Sequence, residues 1–136
     1  MGAKLTHFSF YRLPAIAWAV LLFLLSSIPS EAMPKLALEI SDLIEHFAAY
    51  SVFGFLLAHA IIQKAGEVSW KWRFAVVTIG ALYGASDELH QTFVPGRFCA
   101  FSDFLADCAG VLFGLIVHHL LVRRWWFERK GRNNVS

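Results

Sequence analysis

The stretch from residue 83 to residue 97 holds the side chains best suited to chemistry in this chain of 136 residues. Asp87 and Glu88 are adjacent, His90 follows them, and Arg97 comes directly after a Pro-Gly pair. Neighbouring carboxylates and imidazoles suit general acid and base catalysis, and a guanidinium can hold a phosphate or carboxylate. The flanking segments are apolar, and charges at membrane depth are costly unless they are paired or hydrated. The stretch is therefore a candidate functional site.

Helical spacing places further polar side chains on shared faces, because positions i, i+4 and i+7 of a helix lie on one side. The faces hold Asp42, His46 and Tyr50 in one apolar segment, Tyr83, Asp87 and His90 in the next, with Glu88 and Gln91 beside them, and Asp103 and Asp107 in the last. If these faces converge, they form one polar site at a common end of a helical bundle. The Pro95-Gly96 pair is typical of a tight turn and would direct Arg97 toward that site.

These residues also have structural interpretations. Asp42 can cap the start of a helix, and a lone histidine such as His46 or His90 can be a neutral, hydrogen-bonded residue. Clustering with several carboxylates favours a functional interpretation, since close like charges push their pKa values apart. The cluster has none of the spacing of a zinc-binding HExxH motif, so we assign no metal ligand. The sequence does not identify a cofactor, and a divalent cation is one alternative.

The composition predicts a membrane protein. Hydrophobic residues make up 57% of the chain and charged residues 16%, and the mean hydropathy is +0.55, outside the usual values of soluble domains. Four apolar segments predict helices at approximately residues 12–30, 42–63, 73–93 and 103–123. We expect an all-α, four-transmembrane-helix bundle that forms a single domain over residues 1–136, with a flexible tail at 130–136. A cleaved signal peptide is the alternative interpretation of the first segment.

The basic residues predict the orientation of this bundle. With four spans, both termini and the loop between the second and third helices lie on one side of the membrane. Of the 12 Lys and Arg residues, Lys35 and Arg97 alone lie on the other side. Basic residues favour the cytoplasmic side, so we expect cytoplasmic termini and a polar site at the outer face of the membrane. The net charge of +2 is too small to indicate a nucleic-acid partner.

Two pairs of glycines predict close helix packing. Gly80 and Gly84 form one pair, and Gly110 and Gly114 form the other. This i, i+4 spacing of small residues lets helix backbones approach each other within a membrane. A monomer that packs its own helices through these pairs and a homodimer through either pair both fit the pattern.

Polar residues recur in a fixed order across three segments. The first segment runs from Asp42 to Tyr50 and contains His46. The second runs from Leu82 to Arg97 and contains Asp87-Glu88-Leu89-His90-Gln91 and Pro95-Gly96. The third runs from Ser102 to Gly110 and contains Asp103 and Asp107. This order resembles the VanZ-like family of small bacterial membrane proteins, over approximately residues 42–114. Two positions depart from the family pattern: Leu43 stands where Lys is usual, and Asp107 stands where Asn is usual.

The resemblance implies a function in the bacterial cell envelope and a link to glycopeptide (teicoplanin) resistance, without an established reaction. From the matching positions, we predict catalytic roles for His46, Asp87, Glu88, His90 and Asp103. We predict substrate-binding roles for Asp42, Tyr50, Tyr83, Gln91 and Arg97. In an enzymatic version, His46 or His90 is the general base and Arg97 holds an anionic headgroup.

Two functions from different classes follow. In the first, the site binds or modifies an anionic lipid or a lipid-linked glycan, which makes the protein a possible membrane-embedded hydrolase or transferase, with membrane lipids and lipid-linked cell-wall precursors as partners. In the second, the protein is a non-enzymatic structural or partner-binding bundle whose polar cluster is a stabilising salt-bridge network. Ion conduction is less favoured, because the other ends of the helices are mostly apolar.

Overall fold

The chain folds into four α-helices. The computed structural model describes residues 2–32, 39–62 and 69–133, with side chains at 11–31, 42–62 and 69–122. The helices are α1 (Gly2–Ser26), α2 (Glu39–Ile61), α3 (Trp70–Gln91) and α4 (Phe101–Asn133), with a 3₁₀ turn at Ser30–Ala32. No strand occurs within these described ranges. The prediction of an all-α fold is therefore confirmed.

Local sequence explains where several helices end. α1 begins well before predicted residue 12 and ends at Ser26, because Pro29 disfavours helical backbone at the residue before it. Ser69 caps α3, its hydroxyl oxygen accepting a bond from the Lys71 amide at 3.4 Å. After α3 the chain turns through Gly96, whose φ of 74° only glycine adopts without strain. α4 continues past predicted residue 123, and residues 134–136 of the predicted tail lie outside the described residues.

Two helices are long and apolar enough to cross a membrane. These are Asp42–Ile61 in α2, with a mean hydropathy of 1.3, and Phe101–Val122 in α4, with 1.9. In α1, the segment Tyr11–Ser26 is apolar but shorter. Large apolar side chains are exposed on the outward faces of all four helices, including Leu13, Val20, Ile44, Val52, Ile79, Leu82, Leu112 and Ile116. Such surfaces indicate contact with an apolar environment.

The most extensive helix contact joins α2 and α4. A Cβ atom at Gly54 of α2 would collide with the backbone of Val111, and one at Gly114 of α4 would collide with the backbone at Ser51. At Gly110 it would lie 2.5 Å from the Phe47 carbonyl oxygen. The two helices therefore touch backbone to backbone, a separation that only glycine permits.

The glycines of α3 also pack inside the chain. A Cβ at Gly80 would lie 2.6 Å from the Val111 side chain, and one at Gly84 would lie 3.1 Å from the Asp107 side chain. Both glycine pairs of the sequence thus face α4 or α2 within one chain. Around these contacts lies an apolar core that includes the buried side chains of Tyr50, Phe53, Leu57, Val76, Val111 and Leu115.

Enlarging a glycine at the α2–α4 contact should separate the two helices. We expect Gly110→Val to lower the free energy of unfolding by about 1–3 kcal/mol through overpacking, measured as a lower melting temperature in detergent. The matched control is Ala109→Val, because Ala109 is the exposed neighbour of Gly110. Equal melting temperatures for the two variants would contradict this packing.

Candidate functional site

Three helices bring one histidine and two acids together. His46 of α2 lies 2.9 Å from Asp107 of α4, between Nδ1 and Oδ1, and 3.9 Å from Glu88 of α3, between Nδ1 and Oε1. The Asp107 side chain is 0% exposed and that of Glu88 is 3% exposed. We call these three residues the central triad. Its members come from distant parts of the sequence and lie in the interior of the protein.

The fold holds both acids of the triad in place. Gly84 lies opposite Asp107 and leaves room for its carboxylate. Oε2 of Glu88 accepts a hydrogen bond of 2.9 Å from the backbone N–H of Ala100, the residue just before α4. The other oxygens, Glu88 Oε1 and Asp107 Oδ2, are buried and have no hydrogen-bond partner among the described residues. The two acids of the triad are thus held in place by the fold, and each has an oxygen that can still accept a bond.

A cavity of about 190 Å³ lies beside the triad, between α1, α2 and α3. It is lined by Leu22, Leu25, Ser26, Glu45, His46, Ala49, Tyr50, Asp87, Gln91 and Arg97. The α1 wall is mainly apolar, whereas the opposite wall carries carboxylates, an imidazole and a guanidinium. Asp87, Gln91 and Tyr50 of this polar wall are buried. The cavity is therefore amphipathic.

Contacts between two loops place Arg97 at this cavity. Its Nε donates to the Ile28 carbonyl oxygen at 3.3 Å. Nearby, the Ser30 amide donates to the Pro95 carbonyl oxygen, also at 3.3 Å. The segments that follow α1 and α3 therefore lie at the same end of the bundle. The segment after the Pro95-Gly96 turn thus places Arg97 in the cavity lining, with its Nε bonded to the segment after α1.

The structure brings together six of the ten residues predicted for the site. His46 and Glu88 belong to the triad, and the cavity lining contains His46, Tyr50, Asp87, Gln91 and Arg97. Of the other four, Asp103 lies within electrostatic range of the triad without belonging to it, and Asp42, Tyr83 and His90 lie elsewhere. Asp42 is exposed at the start of α2, and Asp103 is half-buried one turn before Asp107 and accepts a bond from Ser102 Oγ at 3.3 Å.

Tyr83 and His90 face α1 instead of the cavity. The Tyr83 hydroxyl donates to the Ala19 carbonyl oxygen at 2.5 Å. A ring nitrogen of His90, Nε2, lies 3.0 Å from Ser27 Oγ, and its ring packs on Phe23 with centroids 4.6 Å apart. These contacts explain both residues as links between α1 and α3. Their predicted catalytic and substrate-binding roles remain predictions.

Two residues at the site were absent from the predicted set. Asp107, which departs from the family pattern, is a member of the triad, and Glu45 lines the cavity. A sequence signal existed for each. Asp107 shares a helix face with Asp103, and Glu45 directly precedes His46. The contribution of Leu22, Leu25 and Ser26 from α1 carries no comparable signal, because apolar residues line every face of that segment.

The triad supports two kinds of chemistry. A carboxylate that accepts a hydrogen bond from Nδ1 of a neutral histidine orients the ring and leaves Nε2 free to accept a proton. His46 Nδ1 and Asp107 Oδ1, 2.9 Å apart, lie at the distance that this relation requires. Alternatively, one ligand atom from each triad residue can hold a metal ion, since these atoms lie within 4.8 Å of one another.

The all-α fold and the two helices apolar enough to cross a membrane suggest a helical membrane protein. The family model described as VanZ/LLP1 matches residues 5–122, and the chain belongs to this family. The match includes α2, α3 and most of α4, and with them the triad and the cavity lining. Searches of the curated proteins and of the solved structures found no match to the chain.

Substitutions at Tyr83 and Tyr50 test how much each tyrosine hydroxyl contributes to stability. Tyr83→Phe removes the bond to Ala19, and we expect it to cost about 0.5–1.5 kcal/mol. Tyr50→Phe removes a buried hydroxyl that lies near the Asp87 carboxylate but forms no hydrogen bond of standard geometry among the described residues, so we expect a smaller loss of stability or none. Melting temperatures in detergent compare the two variants. A larger loss for Tyr50→Phe than for Tyr83→Phe would contradict this assignment.

Proposed function

We propose that this VanZ/LLP1 protein acts in the bacterial cell envelope, where its cavity binds the anionic headgroup of a lipid or of a lipid-linked glycan. The observation that carries the proposal is the amphipathic cavity with Arg97 on its polar wall. Guanidinium groups hold phosphates and carboxylates through paired, charge-assisted hydrogen bonds. The apolar α1 wall suits the hydrocarbon part of the same ligand.

The size of the cavity supports a headgroup as the bound part. Pockets that enclose drug-sized molecules measure roughly 300–1,000 Å³, and this cavity measures about 190 Å³. A whole lipid does not fit, whereas a phosphate and its neighbouring atoms do. The remaining acyl chains would stay in the membrane against the exposed apolar surfaces of the helices.

The proposed location is the outer face of the bacterial inner membrane. In a four-span protein with cytoplasmic termini, the segments after α1 and α3 face outward. The contacts of Ser30 with Pro95 and of Arg97 with Ile28 join these two segments. The distribution of basic residues supports the same orientation. A headgroup of the outer leaflet would then enter the cavity without crossing the membrane.

A reaction on the bound headgroup would use His46. With Nδ1 held by Asp107, Nε2 of His46 can remove a proton from water or from an acceptor hydroxyl. Such a step corresponds to a membrane-embedded hydrolase or transferase. Altered envelope lipids or lipid-linked precursors would in turn connect this protein to teicoplanin susceptibility, as the family resemblance implies.

Lipid binding should depend on Arg97. Charge-assisted hydrogen bonds contribute about 1.5–3 kcal/mol, so we expect Arg97→Gln to weaken retention of phosphatidylglycerol at least about tenfold. Native mass spectrometry of the detergent-solubilised protein measures this retention, with phosphatidylcholine as the zwitterionic reference. The control is Arg73→Gln, because Arg73 lies near His119 at the opposite end of the bundle. Equal retention by the two variants would refute the headgroup site.

The buried contact between His46 and Asp107 favours a second function, that of a structural or partner-binding bundle. In this alternative, the polar residues stabilise the fold, and no ligand enters the cavity. Breaking a buried ion pair by removing one partner is strongly destabilising. The two functions therefore differ in what a single substitution does to stability.

Asp87 separates these two functions. Its Oδ1 is buried near the Tyr50 hydroxyl without a hydrogen bond of standard geometry in the described structure. Asp87→Asn therefore removes a buried charge while keeping the shape of the side chain, and it should leave the melting temperature unchanged or raised. If the cavity binds a headgroup, we also expect Asp87→Asn to abolish activity in a complementation or teicoplanin-susceptibility assay. The control Asp103→Asn alters a half-buried acid of α4. A large loss of stability in Asp87→Asn with activity retained would support the structural bundle instead.

A further inference from the structure

The central triad has the composition and the burial of a cation site. We propose that His46, Glu88 and Asp107 bind one divalent transition-metal cation, for which Zn²⁺ is the best fit. This site is distinct from the headgroup site at Arg97, and it does not require a lipid. Four observations lead to it: the unused oxygens, the distances, the charge and the types of the ligand atoms.

Each acid of the triad has one buried oxygen without a hydrogen-bond partner among the described residues. That of Glu88 faces His46, and that of Asp107 lies against Gly84. Glu88 is 3% exposed, and its Oε2 is already occupied by the Ala100 amide. Its Oε1 has no hydrogen-bond partner and is the atom that faces His46 Nδ1. Buried oxygens normally have a partner, and a metal ion at this position would supply one. Asp107 adds a second such oxygen, Oδ2, at 0% exposure.

The distances require little movement to close around an ion. Zn²⁺ binds histidine nitrogen and carboxylate oxygen at about 2.0–2.2 Å with tetrahedral geometry, which places neighbouring ligand atoms about 3.3–3.6 Å apart. His46 Nδ1 lies 2.9 Å from Asp107 Oδ1 and 3.9 Å from Glu88 Oε1. Each of these two distances must change by less than an ångström, and all three ligand atoms lie within 4.8 Å of one another. The side chains are thus already gathered for coordination.

The charges of the triad also favour a cation. Two carboxylates removed from water face the same imidazole, and even a protonated imidazole carries only one positive charge. Buried charges without full compensation cost several kcal/mol. A divalent cation with a neutral imidazole and two carboxylates forms a set with no net charge. This arrangement removes the cost that the acids would otherwise impose on the fold.

The ligand types select the metal. Ca²⁺ takes six to eight oxygen ligands, and Mg²⁺ usually keeps several waters. A site with one imidazole and two carboxylates suits Zn²⁺ or Mn²⁺. Three protein ligands leave a further position for water or substrate, as in catalytic zinc sites. Since His46 also lines the cavity, that position would be close to the proposed headgroup. His46 would then be a ligand and not a base.

Metal content tests this site directly. EDTA first removes bound metal from the full chain in detergent, and the protein is then incubated with Zn²⁺, Mn²⁺ or Ca²⁺. After gel filtration removes unbound metal, inductively coupled plasma mass spectrometry measures the metal that remains bound. We expect a single equivalent of Zn²⁺ or Mn²⁺ and a higher melting temperature with the metal bound. Uptake of neither Zn²⁺ nor Mn²⁺, or of Ca²⁺ alone, overturns the proposal. No lipid is present, so failure here leaves the headgroup site standing.

Paired variants locate the ion. Glu88→Gln and Asp107→Asn should lower Zn²⁺ affinity at least about tenfold, whereas the control Glu31→Gln, at an exposed acid of the turn after α1, should bind as the parent chain does. His59 and His118, whose rings lie 5.8 Å apart, are a competing source of Zn²⁺ affinity. If His59→Gln lost Zn²⁺ binding while Asp107→Asn kept it, the bound Zn²⁺ would be an adventitious ion only, and the triad site would be refuted.

X-ray absorption at the zinc edge decides the case if the triad variants do not fold. The parent chain should show only nitrogen and oxygen ligands, including a single imidazole. A sulfur ligand would indicate Cys99 or Cys108, both of which are free thiols, and would overturn the proposal. A coordination shell with more than one imidazole would do the same, because the triad contains only His46.

Discussion

The backbone contact between α2 and α4 is the constraint on which the other contacts of the site depend. Gly54, Gly110 and Gly114 remove the side chains that would separate the two helices. With the backbones touching, His46 on one helix reaches Asp107 on the other. α3 then packs its own glycines against α4 and adds Glu88 to the same position. Small residues thus determine the position of the charged ones.

The site combines opposing requirements. Apolar packing favours a dry interior, yet the interior holds buried carboxylates from Asp87, Glu88 and Asp107. Acids in such surroundings need hydrogen bonds, a counter-ion, a proton or a metal. The described structure supplies hydrogen bonds to some of their oxygens and leaves others unused. Fold stability alone does not account for acids in these positions, which favours a role in binding.

Sequence periodicity predicted much of this arrangement. Helical spacing placed His46 with Tyr50 and identified Asp87 and Gln91 as polar positions of α3, and the Pro-Gly turn correctly indicated the direction of Arg97. It did not separate the faces that meet the cavity from those that meet α1. Tyr83 and His90 share a face with Asp87, but α1 covers part of that face. Periodicity describes one helix at a time, whereas this distinction depends on which helix lies opposite.

The burial of Asp107 has a consequence for how the protein is made. In the proposed four-span arrangement, α4 enters the bilayer with Asp107 as its seventh residue. A carboxylate opposes such entry, by about 2.5–3.5 kcal/mol at the centre of a span and by less toward its ends. The partner of Asp107, His46, lies 61 residues earlier in the chain. Synthesis therefore completes α2 and α3 before α4 emerges from the ribosome. The last helix can meet its partners as it inserts, so that its acid passes from water to the imidazole without a long residence in lipid.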